Sequence, residues 1–211
     1  MTSKQQAAKH GYDESKIKTL SSLEHIRMRT GMYIGRIGDG AHYDDGIYVL
    51  LKEIVDNAID EFIMGFGKRI LVGIAEGWVE IRDYGRGIPL GKLVDCVSTI
   101  NTGAKYNDEV FQFSVGLNGV GTKAVNALSS QFHIRSHREG YCAEAFFEKG
   151  KLVKETRKRK VEDEKDGTWV RFRPDPAIFG LIEFLEEHVV RRLRLYTYLN
   201  AGLEIDYNGE I

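Results

Sequence analysis

Cysteine is scarce in this chain, which carries only Cys96 and Cys142 among its 211 residues. Two cysteines are too few for a disulfide framework, and neither belongs to a C-x-x-C pair, so a reducing compartment is favoured. Long apolar runs are also missing, because no stretch approaches the roughly 18 residues of a membrane span. The polar N-terminus lacks the apolar core of a signal peptide. We therefore expect a cytoplasmic protein that makes no membrane contact.

An excess of charge of either sign is absent as well. The chain has 30 Lys and Arg residues against 31 Asp and Glu residues, for a net charge of −1. This balance argues against a domain built mainly to hold nucleic acid by electrostatic attraction. The hydrophobic share of 42% is enough for a sizeable core. Residues 1–18 are polar and without periodicity, so we predict an N-terminal arm followed by one domain at 19–211.

Helical and strand patterns follow one another along the chain without a βαβαβ alternation. The strongest pattern predicts a long helix in IYVLLKEIVDNAIDEFIMGFG, with Ile47, Leu51, Ile54, Ala58 and Phe62 on one face. Shorter helices are predicted in LVDCVSTI and GTKAVNALSS, and a late amphipathic helix in IEFLEEHVVRRLRLYTYLN. Antiparallel hairpins are predicted at Glu76-Gly77, Glu139-Gly140, Lys149-Gly150 and Asp166-Gly167.

The glycine-rich stretch between Gly116 and Lys123 resembles a P-loop but differs from it in order. A P-loop has its lysine directly after the last glycine, whereas here Thr122 precedes the lysine. No clear buried strand precedes the stretch either. Glycines at the start of a helix can still bind phosphate, because the first free N–H groups of the helix point at an anion. A tight packed turn is the alternative at this stage.

Two further stretches carry residues suited to nucleotide chemistry. Glu53 and Asn57 are four residues apart and therefore share a helix face. A carboxylate can take a proton from water and a carboxamide oxygen can bind Mg²⁺, although both residue types are common on solvated helices. Asp83 ends a strand and runs into Gly85-Arg86-Gly87, a turn that lets backbone approach a ligand. This carboxylate could accept a hydrogen bond from an exocyclic amine or form an ordinary Asx turn.

Taken together, these motifs resemble the ordered motifs of the GHKL ATPases. The strings MRTGMYIG, EIVDNAIDE, DYGRGIP, TGAKY, VGLNGVGTKAVNALS and DGTWVRF closely resemble the ATPase domain of bacterial type IIA topoisomerase B subunits. The resemblance extends from about Tyr12 to the end of the chain. It implies an α+β two-layer sandwich, in which helices cover one face of a mixed, mostly antiparallel sheet.

The resemblance also implies a role for each matching residue. Glu53 is expected to be the general base, Asn57 the ligand of the Mg²⁺ that accompanies ATP, and Asp83 the adenine-binding aspartate. The other expected ATP-binding residues are Tyr12, Ile88, Lys105, Gly116, Leu117, Asn118, Gly119, Val120, Gly121, Thr122 and Thr168. The family's aminocoumarin pocket matches Ile54, Ala58, Glu61, Ile81, Asp83, Arg86, Gly87, Ile88, Pro89, Arg138, Thr168 and Val170.

The partners implied by the resemblance are a second copy of the chain, a topoisomerase A subunit and DNA. ATP would drive dimerisation through the arm, where Tyr12 and Ile17 match, and so close a DNA-passage gate. Asn118, Phe111 and the lack of a His-His pair before the long helix favour topoisomerase IV, which relaxes and decatenates DNA, over gyrase.

The family's transducer domain supplies a second catalytic lysine, and no matching segment follows here. The chain is therefore expected to be part of a longer subunit, and to bind Mg·ATP but hydrolyse it slowly. A histidine kinase and a nucleotide-binding module without turnover are the alternatives. A kinase would need a phosphoacceptor helix, and Glu53 argues against the module.

Overall fold

The computed structural model describes residues 17, 19–100, 102 and 119–210. Its helices are α1 (Ser22–Met28), α2 (Gly31–Ile34), α3 (Gly46–Ile63), α4 (Leu93–Ser98), α5 (Gly121–Leu128), α6 (Pro176–Phe179) and α7 (Glu186–Leu199). Its strands are β1 (Arg69–Ala75), β2 (Trp78–Asp83), β3 (Ser129–Arg138), β4 (Tyr141–Glu148), β5 (Lys151–Lys160), β6 (Gly167–Pro174) and β7 (Glu204–Tyr207). A 3-10 turn at Leu90–Lys92 precedes α4. Among these helices, none is both long and apolar enough to cross a membrane.

The seven described strands form one sheet in the order β5-β4-β3-β6-β2-β1-β7. All neighbouring pairs are antiparallel except β1 and β7, which run parallel. The sheet is therefore mixed and mostly antiparallel, and the predicted α+β class is confirmed. Strand β5 forms one edge of the sheet, and its side chains are almost all exposed.

Three of the four predicted hairpins are confirmed, and they join β1 to β2, β3 to β4 and β4 to β5. The turn residues Glu76 and Gly77 both have positive φ angles, 53° and 75°, which is the backbone pattern of a tight two-residue hairpin turn. The prediction of a hairpin at Asp166-Gly167 was wrong, because β6 pairs with β2 and β3 and not with β5. A β-carbon on Gly167 would lie 2.2 Å from the Asp83 carbonyl oxygen, so this glycine serves close strand packing.

Helix α3 packs on one face of the sheet. Its predicted apolar face is buried at Ile47, Leu51, Ile54 and Ala58, and Phe62 is half-buried. Because side chains alternate along a strand, one face of the sheet turns a matching apolar surface toward the helices. That surface includes Val72, Val79, Ile81, Phe132, Ile134, Phe147, Val170 and Phe172. The core therefore lies between the helical layer and this single sheet face.

The short predicted helices are also present. Helix α5 begins at Gly121, inside the glycine-rich stretch as predicted, but it ends at Leu128 because Ser129 and Ser130 already belong to β3. The late amphipathic helix starts only at Glu186, and the amide of the preceding Leu185 donates to the Tyr48 hydroxyl of α3. The first turn of α5 lies next to the middle of α3, where Thr122 accepts a hydrogen bond from Asn57.

Candidate nucleotide-binding site

Three polar residues form a stripe along α3. Glu53, Asn57 and Glu61 are spaced by four residues, so they lie on one helix face and span roughly 12 Å at 1.5 Å per residue. Glu53 faces the first turn of α5, and Glu61 faces the loop that follows Asp83. The stripe therefore joins the two parts of the chain that carry the other predicted site residues.

The carboxylate of Glu53 lies against the first residue of α5. A β-carbon on Gly121 would be only 1.9 Å from Glu53 Oε2, so residue 121 must be glycine for this carboxylate to keep its place. The Glu53 side chain is 26% exposed, and Lys52 Nζ lies 3.9 Å from its Oε1. The carboxylate therefore lies at the N-terminal end of α5, and the Glu53 side chain remains partly exposed to solvent.

Asn57 connects the two helices directly. Its Nδ2 donates to the Glu53 carbonyl oxygen at 2.8 Å and to Thr122 Oγ1 at 2.8 Å. Thr122 lies in the first turn of α5. The structure therefore brings together two pairs of predicted site residues that are distant from each other in the sequence, Glu53 with Asn57 and Gly121 with Thr122.

Asp83 lies at the other end of the stripe, where β2 ends. Its side chain is buried, and Oδ1 accepts from the amides of Gly85 at 2.9 Å and Thr168 at 3.1 Å. Burial raises the pKa of Asp83 to about 6, although both backbone hydrogen bonds act to lower it. Desolvation of the charged form outweighs two favourable hydrogen bonds here. Thr168 contributes its backbone amide to this contact.

The loop after Asp83 is held by the chain itself. The Glu61 carboxylate accepts from the Arg86 amide at 2.9 Å and from its guanidinium at 3.0 Å and 2.9 Å. A β-carbon on Gly85 would lie 2.7 Å from the Glu61 side chain, and one on Gly87 would lie 2.3 Å from the His137 carbonyl oxygen. These glycines were predicted to let backbone approach a ligand. In the structure, the lack of a side chain at each glycine allows the Glu61 side chain and the His137 backbone to approach this loop closely.

The predicted pocket residues lie around these polar groups. Ile54 and Ala58 of α3 are buried, as are Ile81 of β2 and its cross-strand partner Val170 of β6. The Ile88 carbonyl accepts from Ser136 Oγ at 2.8 Å, while Pro89 is exposed. Arg138 Nη1 lies 3.4 Å from the Gly87 carbonyl oxygen, so Arg138 lies beside this loop.

Several predicted residues lie outside the part of the chain that the structure describes. They are Tyr12, Lys105, Phe111, Gly116, Leu117 and Asn118. From the phosphate loop, Gly119, Val120, Gly121 and Thr122 are described, and Gly119 has a φ of 58°. Of the arm, the described Ile17 is 65% exposed.

Two contacts near the loop were missed by sequence reasoning. The first is the Thr122 hydroxyl as the partner of Asn57, which no local pattern indicates. The second is Lys123, which is 3% exposed and donates from Nζ to the Thr102 carbonyl at 2.6 Å and to the Gly119 carbonyl. A lysine in the first turn of a helix opposes the helix dipole, and this was the available signal that it has a specific partner.

The oxygen atoms of this site suit Mg²⁺ that arrives with a phosphate ligand. Mg²⁺ prefers oxygen ligands and is often held by one or two protein groups plus substrate phosphates. Within the described ranges, no group of three or more His, Cys, Asp or Glu residues could hold a metal ion alone. The Asn57 carboxamide beside the Glu53 carboxylate fits a site in which Mg²⁺ is bound partly by the protein and partly by substrate phosphates.

Comparisons with known proteins agree on one family. Residues 42–178 match the family model of the histidine kinase-, DNA gyrase B-, and HSP90-like ATPases. The chain is 64% identical over 200 residues to the B subunit of DNA topoisomerase 4 from Borreliella burgdorferi, covering 95% of this chain and 33% of that protein. It is 39% identical over 210 residues to the B subunit of DNA gyrase from Thermotoga maritima, covering 95% of this chain and 32% of that protein.

A solved structure shares the fold. It is the 43K ATPase domain of Thermus thermophilus gyrase B in complex with an aminocoumarin, which matches with a TM-score of 0.74 and 34% identity. The match covers 89% of this chain and 48% of that one. The chain spans about a third of the length of the two curated relatives.

Proposed function

Because the chain belongs to the histidine kinase-, DNA gyrase B-, and HSP90-like ATPase family, we propose that it binds and hydrolyses ATP at the α3 stripe. The observation that carries the proposal is the placement of Glu53 and Asn57 against the first turn of α5. At the other end of the same stripe, Glu61 holds the loop that follows the buried Asp83. One helix thus offers an adenine end and a phosphate end.

At the adenine end, Asp83 accepts a hydrogen bond from the exocyclic amine of the base. The amides of Gly85 and Thr168 hold its Oδ1, so the carboxylate is oriented before any ligand arrives. The apolar side chains of Ile54, Ala58, Ile81 and Val170 line the space beside it and exclude water. The same pocket, with Glu61, Arg86 and Arg138 at its rim, would accept an aminocoumarin such as the one bound by the Thermus relative.

At the phosphate end, Glu53 is the general base. It takes a proton from the water that attacks the γ-phosphate, because a carboxylate in reach of that water can accept it as the new bond forms. Asn57 would hold Mg²⁺ through its side-chain oxygen. When bound, the metal offsets negative charge on the phosphates and orients them. The first turn of α5 adds backbone N–H groups that face the phosphates.

In the whole subunit, we propose that ATP drives dimerisation with a second copy and so closes a DNA-passage gate. The subunit would act in the cytoplasm with a topoisomerase A subunit. Topoisomerase IV is favoured over gyrase, because the chain is 64% identical to a topoisomerase 4 B subunit and 39% identical to a gyrase B subunit. Reconstitution with the A subunit distinguishes the two, since relaxation and decatenation without supercoiling identify topoisomerase IV.

The test of the ATPase proposal is Glu53→Gln. The amide keeps the shape of the side chain but cannot accept a proton, so we expect hydrolysis to fall by about 10²–10⁴-fold. Nucleotide affinity should change little. Single-turnover phosphate release, with the chain in excess over Mg·ATP, measures the rate, and calorimetry with a non-hydrolysable analogue measures binding. Turnover at the parental rate would remove Glu53 from the role of base.

A further inference from the structure

The carboxamide of Asn57 is held in one orientation by two contacts. An asparagine side chain has an oxygen that accepts and a nitrogen that carries two N–H donors. Both donors are used here, one on the Glu53 carbonyl oxygen and one on Thr122 Oγ1, each at 2.8 Å. The Glu53 contact fixes which end is nitrogen, because a carbonyl oxygen can only accept. The Thr122 contact then fixes the rotation of the amide plane.

We propose that Thr122 is a positioning residue for the metal ligand, and that it acts through Asn57. By accepting from Nδ2, its hydroxyl holds the amide so that Oδ1 is the atom presented to Mg²⁺. This inference rests on the proposed function, in which Asn57 binds the Mg²⁺ of Mg·ATP. It assigns to Thr122 a role different from direct phosphate contact, which the glycine-rich motif alone would suggest.

The residue type suits this role. Threonine is β-branched, and in a helix its hydroxyl is limited to two main rotamers. An acceptor of this kind is less free to turn away than the hydroxyl of serine. Thr122 is half-buried in the first turn of α5, and its neighbour Gly121 admits the Glu53 carboxylate. The first turn of α5 therefore positions the proposed base with one residue and the proposed metal ligand with the next.

The experiment compares nucleotide affinity with and without the metal. Thr122→Val keeps the branched shape and removes the acceptor, while Thr122→Ser keeps a hydroxyl. Calorimetry with a non-hydrolysable ATP analogue is run on the parental chain and both variants, in excess Mg²⁺ and in EDTA. We expect Thr122→Val to reduce the gain in affinity from Mg²⁺ by about fivefold, which is typical of one neutral hydrogen bond. Its affinity in EDTA should equal that of the parental chain.

Thr122→Ser should recover most of the Mg²⁺-dependent gain, and Asn57→Ala should lose it entirely. The proposal is overturned if Thr122→Val keeps the full gain. It is also overturned if this variant loses the same factor with and without Mg²⁺, because that pattern means direct phosphate contact. Thermal unfolding of each variant checks that the fold is retained. If the parental chain itself binds the analogue without any Mg²⁺ dependence, the proposed metal role of Asn57 fails, which is distinguishable from a failure at Thr122.

Discussion

The two ends of the α3 stripe are built in different ways. At the adenine end, Asp83 is held by backbone amides whose places follow from the ends of β2 and β6. At the phosphate end, Asn57 donates to a threonine hydroxyl and to the Glu53 carbonyl oxygen of its own helix, and the Glu53 carboxylate occupies the space that a side chain at residue 121 would fill. One end therefore depends on strand pairing and the other on individual side chains of two helices.

This difference predicts how each end responds to substitution. When a carboxylate oriented by backbone amides is replaced, those amides stay in place. The substitution should therefore reduce ligand affinity without disturbing the neighbouring residues. A base or metal ligand oriented by side chains can be displaced by a change in its neighbour, without being altered itself. Substitutions at the phosphate end should therefore affect turnover from a distance, whereas those at the adenine end should affect binding directly.

After Glu53→Gln itself, the largest effect on turnover is expected from Gly121→Ala. The new methyl group would lie 1.9 Å from Glu53 Oε2, so the carboxylate must leave its place. Since a misplacement of about 1 Å can cost about 10²-fold in rate, we expect single-turnover hydrolysis to fall by about that factor. Adenine-end binding should remain, as measured with an adenine-pocket inhibitor. Gly91→Ala is the matched control, because nothing lies within 4 Å of its added carbon. Equal turnover in the two variants would contradict the close contact between residue 121 and the Glu53 carboxylate.

An effect on binding rather than turnover, of comparable size or smaller, is expected from Asp83→Asn. Replacing a charged acceptor by an amide should cost about 1.5–3 kcal/mol, or roughly 10- to 150-fold in affinity for both nucleotide and inhibitor. The amides of Gly85 and Thr168 can still donate to the Asn oxygen, so the fold should be preserved. Calorimetry with both ligands measures the loss. Unchanged affinity for both would place Asp83 outside the pocket.

The smallest effect concerns pH. Burial raises the pKa of Asp83 to about 6, so the ionised acceptor is depleted below that pH. Affinity for the adenine ligand should therefore fall about fourfold between roughly pH 7.5 and pH 5.5, as expected for one group titrating near 6. Ligand titration is subtracted by repeating the measurement with Asp83→Asn, whose profile should lack this component. Identical pH profiles of affinity for the two proteins would show that ionisation of Asp83 does not affect binding.

The same pKa has an opposite consequence for stability. The folded state holds the Asp83 proton up to about pH 6, whereas the unfolded state releases it near 3.8. The contribution of this carboxyl to the free energy of unfolding therefore falls as pH rises between these two values. Ionisation of Asp83 therefore favours the proposed hydrogen bond from an exocyclic amine but lowers the free energy of unfolding.

Local patterns predicted much of this molecule. The apolar period of α3 depends only on residues that are close in the sequence, and it was predicted correctly. The same is true of the glycine-containing turns, which join β1 to β2, β3 to β4 and β4 to β5. The place of β6 was missed, because pairing between strands distant in sequence is not encoded in either strand's local pattern. The Asn57 contact with Thr122 crosses 65 positions and was missed for the same reason. Gly85 and Gly121 were predicted to allow close approach of a ligand, whereas in the structure they lie against the side chains of Glu61 and Glu53. The sequence alone does not show which group approaches a glycine.

The edge position of β5 has a consequence for the behaviour of the chain in solution. An open strand edge offers unpaired backbone groups to any other strand, and lysines along that edge oppose such pairing. The exposed side chains of β5 include Lys151, Lys154, Lys158, Arg159 and Lys160. Two copies that approach edge to edge would bring these like charges together. The cationic edge therefore protects the sheet against self-association by strand addition and leaves other surfaces of the molecule to meet a partner.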